Sequence, residues 1–175
     1  MEKGEEVAFR PSGPDCSYTA EEVISFFRDK ELSALVLVNP DNPSGNYLDK
    51  GQVRRLMEWA EEKGIFLVVD ESFVDFAGEE DASLLRKEVL AGYPRLIVIR
   101  SISKTHGVPG LRLGLLASGN TGLVDRVAAD LPIWSINSLG EFFLQIMEKY
   151  QKDYRASMER FRESRREFLK LLEGI

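Results

Sequence analysis

The sequence predicts an α/β fold, a three-layer αβα arrangement around a mostly parallel sheet, closing on a long helix. Three observations predict it. Continuous apolar runs of strand length recur along the chain. Amphipathic segments of helical period separate them, as crossover helices separate parallel strands. Three of the runs lead directly into segments of Asn, Asp, Ser, Lys and Gly, and ligands in open α/β sheets bind beyond the carboxyl ends of strands.

The elements follow in order. Thr19 can cap a helix that begins at Ala20, and Glu22 three residues on completes a capping box. Ala34–Val38 reads as a buried strand. Asp49 caps a second helix running to Lys63, with Val53, Leu56, Met57 and Ala60 on one face and Gly64 as its stop. A second buried strand spans 65–69, a short helix 84–91 stopped by Gly92, a third strand 96–99, a fourth 113–117 and a helix 122–129. From 138 to 172 the spacing predicts one or two long helices. Tyr150, Tyr154, Met158, Phe161, Phe168 and Leu172 form one stripe there, and charges cover the other faces as a solvated surface. The stripe calls for a partner surface: the body, another domain or another subunit.

Composition bounds the function. The chain has 175 residues, enough for one domain with a real core, and a net charge of -6. With a pI near 5.0 it does not read as a general nucleic-acid binder. Cys16 is the single cysteine and cannot form an internal disulfide. No run approaches the apolar length of a membrane span, and the charged start Met1-Glu2-Lys3-Gly4-Glu5-Glu6 lacks the apolar stretch of a signal peptide. The cytoplasm is the expected location.

The first strand end is Asn39-Pro40-Asp41-Asn42-Pro43-Ser44-Gly45. Alone it is a tight turn; its functional reading is a rigid loop presenting the Asn42 amide. The second is Asp70-Glu71-Ser72-Phe73-Val74-Asp75-Phe76. An acid directly after an apolar strand needs a cation or donors. Mg²⁺ is one candidate, but the phosphate-binding G-x-x-x-x-G-K-[ST] loop that would accompany it is absent. A protonated heterocyclic nitrogen is the other. The third runs from Ser101 to Gly114 and contains Ser101, Ser103, Lys104, His106 and Arg112. Its hydroxyls, glycine-exposed amides and guanidinium can hold a phosphate dianion. Lys104 there is either a phosphate clamp or a Schiff-base former, and His106 reads as a loop residue.

Taken together in this order and spacing, the three segments resemble the large domain of fold-type I pyridoxal-phosphate enzymes, the class I and II aminotransferase group. That family carries N-P-x-N-P-[TS]-G, a strand ending in D-E-x-[YF], and S-x-S-K-x-x-G-x-x-G-x-R-x-G. The match covers about 33–118 and is strongest toward histidinol-phosphate aminotransferase and threonine-phosphate decarboxylase. The resemblance implies pyridoxal 5′-phosphate as cofactor, held by Lys104 as a Schiff base. It further implies Asp70 on the ring nitrogen, Asn42 on the 3′-oxygen, Phe73 beside it, and Ser101, Ser103 and Arg112 on the phosphate. Substrates would be an amino acid, phosphorylated or not, and a 2-oxo acid. The full-length form would be a homodimer, without membrane or nucleic-acid partners.

Two departures pull toward decarboxylation. Phe73 stands where many aminotransferases have tyrosine, so one bond to the 3′-oxygen is lost. The run Leu131-Pro132-Ile133-Trp134-Ser135-Ile136-Asn137-Ser138 is similar to a segment of the decarboxylases. Both features also fit aminotransferase-like domains joined to nucleotidyltransferases. Trp134 reads equally as a plug at a domain junction or as a substrate contact. Family members are about twice this length, and Ser12-Gly13-Pro14 does not replace their additional phosphate-binding turn. The expected division is a partial cofactor-binding large domain over 1–137 and a helical segment over 138–175 leading toward a small domain. A non-catalytic module that docks a partner through the long helix is the reading from another class.

Overall fold

The computed structural model describes residues 5–11, 15–79 and 81–173; the Ser12-Gly13-Pro14 turn lies outside them. Four strands form one sheet in the order β1 (Ala34–Val38), β2 (Phe66–Asp70), β3 (Leu96–Ser101), β4 (Gly114–Ser118). The first three are parallel, and β4 runs antiparallel to β3. Helices flank this sheet: α1 (Ala20–Phe27), α2 (Lys50–Lys63), α3 (Lys87–Gly92), α4 (Ile102–Thr105), α5 (Thr121–Asp130), α6 (Ser138–Met147) and α7 (Gln151–Leu172). The fold is therefore α/β with a mostly parallel sheet, and the chain ends in a long helix.

Local sequence signals account for the element ends. At α1 the Thr19 hydroxyl accepts from Glu22 N–H at 3.3 Å while Glu22 accepts from Thr19 N–H at 2.8 Å, a reciprocal cap. Asp49 accepts from Gln52 N–H at 2.9 Å to start α2. Gly64 ends α2 with φ 73, a left-handed turn that costs glycine little.

The strands alternate. Leu35, Leu37, Leu67, Val69, Leu96 and Val98 are buried on one face, against Val23, Ile24 and Phe27 of α1 and Val53, Leu56, Met57 and Ala60 of α2. Val89 and Leu90 of α3 pack onto the same core. Their neighbours on the strands face the other way, and Val36 is 65% exposed. Apolar on both faces, the strands are covered fully on one face and in part on the other by the described residues.

Two boundaries differ from the sequence reading in ways that matter for the site. Strand β2 extends through Asp70, which pairs with Val38 and Ile99 in the ladder. The carboxylate is thus fixed by the sheet itself. Lys104 lies in the one-turn helix α4 that springs from the end of β3, where a loop had been expected. The long C-terminal region divides into α6 and α7 around a 3₁₀ turn at Glu148–Tyr150.

Candidate functional site

The three strand ends meet at the carboxyl edge of β1, β2 and β3. The first loop is closed by Asn39, which is buried. Its amide donates to Leu48 O at 2.9 Å and its carbonyl oxygen accepts from Leu48 N–H at 2.8 Å. The Asn39 N–H donates to Asp70 O at 3.0 Å and extends the ladder one residue past β1. Gly45, with φ 76, donates to Asp41 O at 3.0 Å and turns the chain back. Asn42 stands exposed at the tip. Sequence reasoning singled out Asn42 and passed over Asn39; a polar residue directly after an apolar strand was the available signal.

At the second strand end, Asp70 is half-buried. Its Oδ1 accepts from Ser72 N–H at 2.8 Å, and its Oδ2 takes no hydrogen bond among the described residues. Glu71 points the other way and is 2% exposed. It accepts from the Ser83 hydroxyl at 2.7 Å and from Leu84 N–H. Burial pushes its carboxyl above the usual range, and those two bonds act against the rise. Glu71 therefore anchors the 83–84 segment under the sheet and is not a site carboxylate.

Ser72 links the second strand end to the third: its hydroxyl accepts from Ser101 N–H at 2.9 Å. Lys104 is exposed on α4, with Nζ 5.8 Å from the centroid of the Phe73 ring. Asp70, Ser72 and Ser101 are thus joined by hydrogen bonds, and Phe73 adjoins Lys104. The remaining candidates make their bonds elsewhere. Ser103 is buried, and its hydroxyl is occupied by Leu113, accepting from the N–H at 3.4 Å and donating to the carbonyl at 3.5 Å. That pair pins the glycine-rich loop shut at its base. Arg112 is exposed, holds φ 55 and donates to Pro109 O at 3.4 Å. Trp134 and Ile133 are 91% and 96% exposed, so neither plugs a junction within the described residues.

A cavity of about 390 Å³ adjoins this cluster. Asn42 and Phe73 line it, together with Tyr47, Phe76, Phe161 and Arg165. Helix α7 forms one wall, held to the 3₁₀ turn Val74–Phe76. The Tyr154 hydroxyl donates to the Asp75 carboxylate, Arg162 to Asp75 O at 3.2 Å and Arg165 to Phe76 O at 2.9 Å. Asp75 also pairs with Arg100 on β3. His106 stacks on Tyr154, with ring centroids 4.3 Å apart and planes 5° apart. These contacts were not visible in the sequence beyond the apolar stripe that contains Tyr154.

The donor set suits an aromatic ring carrying a basic nitrogen and an aldehyde. A strand-end carboxylate keeps one oxygen without a protein donor, and an exposed amine stands one helical turn beyond the neighbouring strand. In the present arrangement Ser101 and Arg112 can serve a phosphate more readily than Ser103, whose hydroxyl is turned inward.

Comparison with known proteins agrees. The profile of the family "Aminotransferase class I and II" matches residues 6–175. The chain is 34% identical over 167 residues to CMP-5'-(3-aminopropyl)phosphonate synthase of Streptomyces rubellomurinus, covering 95% of this chain and 26% of that protein. It is 31% identical over 175 residues to L-serine phosphate decarboxylase of Sulfurospirillum multivorans, covering 96% and 42%. Among solved structures, histidinol-phosphate aminotransferase from Clostridium acetobutylicum superimposes with a TM-score of 0.83 at 25% identity, covering 96% of this chain and 49% of that one. The chain thus spans about half or less of the length of each of these relatives. With its profile matched across nearly the whole sequence, this chain belongs to the class I and II aminotransferase family.

Proposed function

We propose that this chain is the cofactor-bearing part of an aminotransferase similar to histidinol-phosphate aminotransferase, moving an amino group between an amino acid and a 2-oxo acid. The observation that supports the reading is that Asp70 ends β2 and Lys104 lies on the turn of helix directly after the adjacent parallel strand β3, with Ser72 joining Asp70 to Ser101 and Phe73 beside Lys104. Pyridoxal 5′-phosphate is the cofactor of the family, and when bound it draws electron density from the substrate Cα into its protonated ring. The chain's own residues take complementary parts. Lys104 would supply the amine to which the cofactor is attached and the group that moves a proton at the substrate Cα. Asp70, whose Oδ2 takes no hydrogen bond among the described residues, would hold the ring nitrogen and keep it protonated. Asn42 would hold the 3′-oxygen without help from position 73, since phenylalanine has no hydroxyl. Ser101 and Arg112 would hold the phosphate, and Ser103 keeps their loop in shape through Leu113. Residues 1–137 form the cofactor-binding part, and the helical segment 138–175 leads toward a further domain of a cytoplasmic homodimer.

Decarboxylation of a phosphorylated amino acid is the second reading. Phe73, the exposed Trp134 run and the resemblance to L-serine phosphate decarboxylase favour it. The two readings part on products. The full-length protein is assayed with glutamate plus a 2-oxo acid, and separately with O-phospho-L-threonine and O-phospho-L-serine. Keto-acid formation from glutamate is expected; CO₂ release without any keto acid overturns the first reading in favour of the second. The attachment itself is tested by borohydride trapping of added pyridoxal phosphate. Lys104→Ala is expected to lose both the visible band and the trapped label, and a variant that keeps them removes Lys104 from its role.

A further inference from the structure

Lys104 rides on the shortest α-helix among the described residues. Helix α4 is one turn, and Ser101 makes no side-chain cap at its start. A single turn fixes several backbone angles for each bond that closes it, so it does not hold its shape unaided. Two anchors flank Lys104. On one side the Ser103 hydroxyl is sealed on Leu113. On the other, His106 closes the turn twice on one oxygen. Its backbone N–H donates to Ile102 O at 3.3 Å, and its ring Nδ1 lies 3.2 Å from the same atom. A carbonyl only accepts, so this contact places the ring proton on Nδ1 and uses both lone pairs of Ile102 O.

The rest of the ring reaches the long helices. Its plane stacks on Tyr154, and Phe143 of α6 meets it edge to face with centroids 5.9 Å apart. Tyr154 is held in turn by Asp75, which pairs with Arg100, the residue before Ser101. Side chains two apart on a helical turn point away from each other. His106 therefore backs the turn, while Lys104 approaches Phe73 from the other side. The ring Nε2 is buried and takes no hydrogen bond among the described residues. An acceptor buried without a donor costs free energy that a phenylalanine would not, so stacking alone does not account for a histidine here. The bond from Nδ1 to Ile102 O is what the histidine adds.

We infer that His106 is a positioning residue for Lys104: its ring closes α4 and clamps that turn to α7, and so fixes where the Lys104 amine stands. The inference rests on the cofactor-bearing reading above and deepens it. His106 itself touches neither substrate nor cofactor in this role; it acts through the backbone that carries Lys104.

The test compares the wild type with His106→Ala, His106→Phe and His106→Asn. Phenylalanine keeps a ring against Tyr154 and loses the donor; asparagine keeps a donor near the Nδ1 position and loses the ring. Amide hydrogen exchange over 102–108 is followed by mass spectrometry in the chain without added cofactor. Attachment to Lys104 is followed by borohydride trapping as the pyridoxal phosphate concentration is raised. His106→Ala should speed exchange over 102–108 by about 10- to 100-fold and raise the concentration for half attachment by about 5-fold or more, with the amides of α2 unchanged. His106→Phe and His106→Asn should each recover part of both effects. The inference is overturned if exchange over 102–108 does not respond to His106→Ala, if it quickens while attachment is unaltered, or if it quickens equally in α2. Full recovery by His106→Phe would assign everything to packing and overturn the closing role of Nδ1. The two readings fail separately. A wild type that never attaches pyridoxal phosphate at Lys104 removes the cofactor reading, and exchange over 102–108 that still depends on His106 then upholds the clamp. Attachment that His106→Ala leaves untouched does the reverse.

Discussion

The two halves of α7 carry one continuous apolar stripe and meet opposite fates. In the first half, Met158 is 6% exposed and Tyr154 and Phe161 contact the Val74–Phe76 turn, and Arg162 and Arg165 carry those contacts just past the midpoint of the helix. Toward the end of the helix, Phe168 is 59% exposed and Leu172 47%. Helical period selects which side chains can be buried together; whether they are buried depends on a complementary surface. The turn supplies that surface as far as Arg165 and no further: a carboxylate, two carbonyl groups and an aromatic ring. Because the same turn continues from Phe73, docking of α7 and the shape of the cavity are properties of one short segment.

Asp75→Ala breaks the comparison most directly. The Arg100 and Asp75 side chains are 16% and 21% exposed, so removing the carboxylate leaves a mostly buried guanidinium without its anion and the Tyr154 hydroxyl without its acceptor. A loss of about 3 kcal/mol is expected in urea unfolding. The Tyr154 phenol gives a second readout. Burial first, and the bond to Asp75 next, hold it up at about 12, so the variant should ionise at lower pH in an ultraviolet titration. A loss below about 1 kcal/mol, the range of an exposed pair, would mean that α7 is held chiefly by its apolar contacts.

The sheet and the strand-end motifs were legible because each is written in contiguous residues. A capping box, an apolar run and a glycine stop need no distant partner, and Thr19, Asp49 and Gly64 behave as read. Asp70 and Lys104 were identifiable for the same reason: each directly follows an apolar run. What could not be read was the direction of individual side chains within a motif. Ser101 and Ser103 look alike in sequence, yet one adjoins Ser72 and the other is sealed against Leu113. The antiparallel sense of β4 was hidden as well, since a run of apolar residues carries no direction. Arg165 lay among many charges that read as a solvated face, and its place at a cavity depends on a turn some ninety residues earlier in the chain.

His106 sharpens the comparison by pH. Two residues from Lys104, it stacks on Tyr154 and joins the α4 loop to the docked half of α7. Burial lowers its pKa below the usual 6.5; the bond to Ile102 O and the charge of Asp75 oppose the shift, and Arg100 adds to it. A lowered value means the folded protein takes this proton less readily than the unfolded chain. The associated stability is whole above about pH 6.5 and declines as the pH falls through that value toward the folded one. His106→Phe keeps a ring against Tyr154 and Phe143 and removes the titration. The urea midpoint of the wild type should fall relative to that of the variant on going from about pH 7 to about pH 5. Parallel curves would exclude His106 as the source of any pH response in this region.

The smallest effect is expected at the other end of the same helix. Phe168 lies on the stripe but is 59% exposed, with no ring partner among the described residues. Truncation to alanine removes little packed area and places the best helix former in an exposed turn, so the two changes nearly offset. Phe168→Ala should therefore shift the unfolding free energy by no more than about 0.5 kcal/mol in this chain. The same substitution in the full-length protein is the informative control. If the second half of α7 is covered there by a further domain or a second subunit, the cost should rise toward that of a buried phenylalanine, about 3 kcal/mol or more. An equal, small effect in both would show that the stripe past Phe161 stays solvated, and that docking of the long helix ends where its contacts with the 75–76 turn end.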